Sequence, residues 1–138
     1  MNMKAGLAAS ALALALAFAW PAAAEAIPAA KSHHGITYVS GGIGHDEAAA
    51  MKAAAKDYPL SLVFAAGKHD EYLSGVKVRL KDKAGKVAFN EVADGPIMLV
   101  RLPEGRYTID ATRHGNTLQR TVRVPAKGDR QVVFHWPV

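Results

Sequence analysis

Two tripeptides carry the same metal-capable side chains, His45-Asp46-Glu47 and His69-Asp70-Glu71. With His33-His34 they offer imidazole and carboxylate, donors that zinc and copper both accept. Local structure accounts for the same residues without a metal. Asp46 stands where a helix N-cap belongs, and Glu47 would then sit in the first turn, favourably placed against the helix dipole. His69, Asp70 and Glu71 fall in a polar loop, and His33-His34 lies in an N-terminal arm. The expectation is therefore no specific metal site and no cofactor. Should the protein bind a metal after all, His45, Asp46, Glu47, His69, Asp70 and Glu71 are the candidate ligands. The chain has no cysteine, which removes disulfides, thiolate zinc sites and a cysteine nucleophile.

Other chemistry is poorly supplied. Gly41-Gly42-Ile43-Gly44 before a helix invites a phosphate-loop reading, but it lacks the G-K-[S/T] ending and the G-x-G-x-x-G spacing. Asp46 and Glu47 would also repel a phosphate there. Ser32, Ser40, Ser61 and Ser74 lack a nucleophile elbow, so catalysis is not expected. The basic residues are the strongest functional feature. Lys77, Arg79 and Lys81 share one strand face, and Arg106, Arg113, Arg120, Arg123 and Arg130 follow. With a net charge of +5 and a pI near 9.6, these would attract an anionic polymer or lipid head groups. The bland alternative is a solvated charged face. A nucleic-acid platform is not expected, because the cations are not interleaved with aromatic residues.

The elements that position these residues read as mostly β. Residues 27–34 look like an arm, and Ile36–Ser40 like a short strand followed by the glycine turn. Glu47–Asp57 is Ala-rich and helical, with Met51, Ala54, Ala55 and Tyr58 forming a narrow apolar stripe and Pro59 ending the helix. From Leu60 the period becomes two. Leu60, Leu62 and Phe64 alternate with Ser61, Val63 and Ala65. Val76, Val78 and Leu80 alternate with Lys77, Arg79 and Lys81, whose charge suits an edge strand. Asp82-Lys83-Ala84-Gly85 turns the chain, and Val87 and Phe89 point inward on the return. Gly95-Pro96 opens an apolar run from Ile97, Pro103-Glu104-Gly105 reverses it, and Tyr107, Ile109 and Ala111 alternate with polar residues. Strands ending in Val122-Arg123-Val124 and in Val132, Phe134 and Trp136 close the chain, with Arg120 on an apolar face where it needs a partner or a rim position. About seven short strands separated by Gly/Pro/Asp turns argue an antiparallel sandwich. The polar alternate residues are unsuited to the lipid face of a transmembrane barrel.

At the N-terminus, Met1–Lys4 is a basic start, Ala5–Trp20 is apolar, and small residues follow with an A-x-A pattern ending at Ala24 or Ala26. That order marks a secretory signal peptide. The apolar core is shorter than the roughly 18–20 residues of a membrane span, and Pro21 ends it. Residues 1–26 are expected to be removed, with Lys4 and Glu25 leaving together so that the charge is unchanged. The mature protein would be periplasmic or secreted, with no lipid-bearing cysteine.

The spacing Val76-x-Val78, Asp82, Gly85, Gly95, Leu102-Pro103-x-Gly105-x-Tyr107, Ala111 and Gly115 resembles the carboxypeptidase regulatory-like domain, a prealbumin-like (transthyretin-like) β-sandwich. The resemblance covers roughly Leu60–Trp136 and implies a seven-stranded antiparallel prealbumin-like sandwich preceded by a short Ala-rich helix. Stand-alone exported bacterial proteins are similar. Every matched position is a turn or a core residue, so the resemblance speaks to fold and not to activity. The zinc peptidase half found beside such domains is absent, and no H-x-x-E pair exists. A Lys–Asn isopeptide staple, as in related adhesin modules, is not expected, since neither Asn90 nor Asn116 lies on the last strand.

These readings divide the chain into residues 1–26, a signal peptide; residues 27–59, an arm, glycine turn and helix; and residues 60–138, the sandwich. The function they favour is a non-catalytic exported binding or accessory module of the bacterial envelope. Its partner would be an envelope protein or an anionic envelope polymer, met on the face of Lys77, Arg79 and Lys81. A periplasmic metal-binding protein is the alternative.

Overall fold

The computed structural model describes residues 26–137; the expected signal peptide lies almost entirely outside them. Two β-sheets face each other, and one helix packs on the outside. The strands are β1 (Lys31–His33), β2 (Ile36–Gly41), β3 (Leu60–Ala66), β4 (Glu71–Tyr72), β5 (Lys77–Asp82), β6 (Val87–Val92), β7 (Ile97–Val100), β8 (Gly105–Arg113), β9 (Asn116–Val124) and β10 (Arg130–Trp136). Helix α1 (His45–Ala54) runs into a single 3₁₀ turn at Ala55–Asp57. One sheet has the order β1-β2-β7-β3-β10, with β4 pairing the far end of β3; the other has the order β6-β5-β8-β9. The protein is an all-β sandwich.

Alternation explains the facing layers. Val76, Val78, Leu80, Phe89, Tyr107, Ile109 and Ala111 from one sheet meet Leu60, Leu62, Phe64, Met98, Val100, Phe134 and Trp136 from the other in the main core. A second, smaller core lies on the outer side of the first sheet. There Met51, fully buried, and Ala48 of α1 cover Val39, Val63, Ile97 and Leu99. The apolar stripe of the helix thus packs on the sheet. It also explains why every residue of β3 and β7 is buried: these strands have the main core on one face and the helix on the other.

Several details differ from the sequence expectation. Residues 27–59, read as an arm, turn and helix before the sandwich, contribute two strands to it. β1 and β2 form a hairpin closed by His34-Gly35, both at positive φ (48° and 83°), the backbone of a two-residue turn whose twist matches the strands. The same His-Gly pair closes β8 to β9 at His114-Gly115 (48° and 79°). β2 then pairs antiparallel with β7. Ile27 packs against the second core. Strand pairing is antiparallel except at β10, which runs parallel to β3 from Arg130 beside Leu60 to Trp136 beside Ala66. Its predecessor β9 lies in the other sheet, so no hairpin forces β10 to run antiparallel to its neighbour.

β5 is not an edge strand. It lies between β6 and β8, because alternating charge reports only that one face is wet and says nothing about lateral neighbours. Val87 does not point inward: Leu80 pairs Phe89 while Lys81 pairs Val87, so Ala88 is an extra residue. This β-bulge resets the alternation and leaves Val87 exposed. Asp46 is not the cap of α1. The N-cap is Gly44, without a side-chain cap, and Glu47 reaches back so that the backbone N–H groups of Gly42 and Ile43 donate to its Oε1 at 2.8 and 3.3 Å. Gly95 is required for a different reason from turn geometry: a Cβ there would run into the backbone of Gly41.

Candidate functional site

The outer face of the β6-β5-β8-β9 sheet carries the basic residues singled out by the sequence. Register sets it out in rows, Val92–Lys77–Thr112–Thr117 and Asn90–Arg79–Asp110–Gln119, with Lys81–Thr108–Thr121 below and Arg106 beside Arg123 at the end. The strands that hold these rows are fixed by the apolar residues between them, which fill the main core. The positions of these side chains are therefore set by the packed sheet beneath them. Lys77, Arg79, Lys81, Arg106 and Arg123 stand on it, and four threonines add hydroxyls. The Thr112 and Thr117 hydroxyls are 2.7 Å apart.

Asp110 is the carboxylate of this face, and the cations cover it. It is only 7% exposed. Gln119 Nε2 donates to its Oδ1 at 2.8 Å, Arg79 Nη2 lies 3.4 Å from Oδ2, and Lys81 Nζ lies 3.5 Å from Oδ2. Burial alone would raise the Asp110 carboxyl, but the Gln119 amide, Lys81 and Arg79 more than offset it and hold the group below the usual carboxylate value. The result is an ionised carboxylate beneath cationic side chains that are themselves partly exposed. Such an arrangement leaves the outward potential positive while pinning Arg79 and Lys81 in place.

The other basic residues divide. Arg106 and Arg123 join the face opposite each other in register. Arg120 takes the rim position expected of it, with its guanidinium over the Phe134 ring at 5.7 Å. Arg113 and Arg130 sit at strand ends, on the inner alternation, and do not extend the face.

The His-Asp-Glu tripeptides go separate ways. His45 opens α1 and is 96% exposed on its side chain, 3.2 Å from Asp46; Glu47 is occupied by the Gly42 and Ile43 amides. His69 and Asp70 lie in the β3–β4 turn and Glu71 starts β4, where Asp70 pairs with His135 at 3.2 Å. His33, with His34 stacked on it at 4.3 Å, turns to Glu91 at 2.7 Å. That contact ties β1 to β6 of the other sheet, and Lys31–Asp94 at 3.1 Å ties it to the β6–β7 connection. Among the described residues no group of three or more His, Asp and Glu is placed to hold a metal ion, and no helix is long and apolar enough to cross a membrane.

Sequence reasoning missed an end cavity between the sheets, lined by His34, Lys86, Val87, Arg101, Pro103 and Tyr107 among others. The repeated His-Gly pair was the signal for its hairpin wall. Tyr107 closes its floor, its hydroxyl donating to the Pro103 carbonyl at 2.9 Å. Burial raises the Tyr107 phenol above its ordinary value, with Asp82 adding to the effect.

No family model matches this chain, and no curated protein matches it. A solved structure similar over part of it is that of BcpA, the major pilin subunit of Bacillus cereus. Identity is 16%, the TM-score is 0.44, and the match covers 55% of this chain and 27% of that one. The chain thus matches about a quarter of the pilin's length.

Proposed function

We propose that the protein is a non-catalytic binding module of the bacterial envelope, which meets an anionic polymer on the outer face of the β6-β5-β8-β9 sheet. The observation that carries this reading is the line of Lys77, Arg79 and Lys81 on one face of β5, extended by Arg106 and Arg123, with Arg79 and Lys81 over the carboxylate of Asp110. A face with cations spaced along strands suits a ligand with repeated negative charge, and the threonine and glutamine side chains suit a hydroxylated one. Export is read from the charge, apolar core and small-residue order of residues 1–26, which places the module in the periplasm or outside the cell. The finer assignment to the carboxypeptidase regulatory-like domain rests on motif spacing. It is supported by where those residues stand: Gly85 at a positive-φ turn, Gly95 against the Gly41 backbone, and Tyr107 bonded to Pro103.

Titration of the protein with dextran sulfate, with neutral dextran as control, tests the reading. Binding to the sulfated polymer is expected, weakening as salt rises through the Debye range. The double variant Lys77→Glu, Arg123→Glu leaves the Asp110 cluster intact and is expected to weaken binding at least tenfold. Equal binding of the variant, or equal binding of neutral dextran, would sink the proposal. Among the described residues the metal-binding alternative has no supporting cluster; micromolar zinc or copper affinity abolished by His45→Ala with His69→Ala would revive it.

A further inference from the structure

At the end of the sandwich where β1–β2 meets the β5–β6 loop, the two sheets part around a cavity of about 630 Å³. That lies within the roughly 300–1,000 Å³ of small-molecule sites. Its walls are mostly apolar: Ile36, Val87, Ala88, Leu102, Pro103 and the Tyr107 ring. The space exists because of two local choices. The bulge in β6 places the small Ala88 where a regular strand would have put a paired residue, and the His34-Gly35 turn holds the opposite wall clear. Val87, a large apolar residue, is left 41% exposed beside the opening.

Lys86 has no ion-pair partner among the described residues. The other cation of the lining, Arg101, turns its guanidinium to the Asp57 carbonyl at 3.1 Å and the Tyr58 ring at 4.5 Å, neither of which lines the cavity. The acid at the mouth, Asp82, is turned into its own loop, where its Oδ1 accepts the backbone N–H groups of Ala84 and Lys86, each at 2.9 Å. A mostly apolar cavity thus opens beside one cation, Lys86, that no acid among the described residues pairs.

We propose that this cavity binds a single-chain amphiphile with an anionic head, its hydrocarbon against Ile36, Ala88 and Leu102 and its carboxylate at Lys86. The site is separate from the cationic sheet face, and either could exist without the other. Octanoate is the probe. Calorimetric titration is expected to give one saturable site with a Kd on the order of 100 μM, within the affinity that a ligand of this size can reach. Lys86→Glu should weaken octanoate about tenfold while leaving octan-1-ol within twofold. Ala88→Trp should fill the chamber and abolish binding of both. If the tryptophan variant does not fold, amide shifts of Ile36, Ala88 and Leu102 on octanoate addition to the unaltered protein take its place. Competition of octanoate by phosphatidylglycerol vesicles would assign the natural ligand to a lipid chain, and indifference to the vesicles would assign a free carboxylate. Absence of saturation, octanol binding as tight as octanoate, or shifts confined to the β5–β8 face would overturn the proposal.

Discussion

Replacing Asp110 by Asn tests the cationic face and the fold together, because the carboxylate serves both. Asn keeps the shape and can still accept from Gln119, so the loss is the charge seen by Arg79 at 3.4 Å and Lys81 at 3.5 Å. Exposed pairs contribute about 0.2–1 kcal/mol each. Asp110 itself is nearly buried, which places these two toward the upper end, for a total of about 1–2 kcal/mol. In a domain of this size that lowers Tm by roughly 4–8 °C for each kcal/mol. The effect must depend on pH in one direction. The folded-state pKa of Asp110 is depressed, so its contribution is fully present above the unfolded value, 3.8, and is lost as pH falls through the lower folded value. Urea unfolding of both proteins at pH 7 and in steps below pH 4 should therefore show a gap that closes in acid. Polyanion binding should move the other way. Removing one negative charge about 7 Å from a bound anion is worth about 0.6 kcal/mol in water, a tightening of roughly threefold. Two results would refute the reasoning: a stability gap that persists unchanged below pH 3, or weaker dextran sulfate binding by the Asn variant.

Two further substitutions address the layers that hold this face. Met51→Ala empties a fully buried position between α1 and the first sheet and should cost about 2–5 kcal/mol, read as a shift in the urea midpoint. A cost below about 1 kcal/mol would mean that the helix is not packed on that sheet. Gly95→Ala drives a Cβ into the Gly41 backbone and should destabilise by at least about 1–3 kcal/mol, the range for overpacking. Gly85→Ala, which meets nothing within 4 Å but sits at φ 85°, separates the two kinds of glycine. It should cost the smaller amount, set by backbone strain alone, and the reverse order would show that Gly95 is not in close backbone contact.

The composition and the two-residue alternation of greasy and charged side chains were sufficient to specify an all-β sandwich, most of its turns from Leu60 onward and the inward identity of Val76, Val78, Leu80, Tyr107 and Ile109, but not the His34-Gly35 hairpin. Period two is a local property that each strand carries in its own residues. The same alternation placed Lys77, Arg79 and Lys81 on one wet face. Tertiary structure alone decided which strands lie side by side. β5 became central, β10 joined β3 in parallel, and Arg106 and Arg123, far along the chain from Lys77, Arg79 and Lys81, came to stand on the same face. Asp110 looked like one polar residue among several in β8 until pairing set it between Arg79 and Gln119. The β6 bulge and the end cavity were equally hidden, since a single extra residue is invisible to a periodic pattern and shows only when a partner strand is laid beside it. Side-chain order along a strand is written in the chain; the partner across each gap is chosen by the energy of the whole packed molecule.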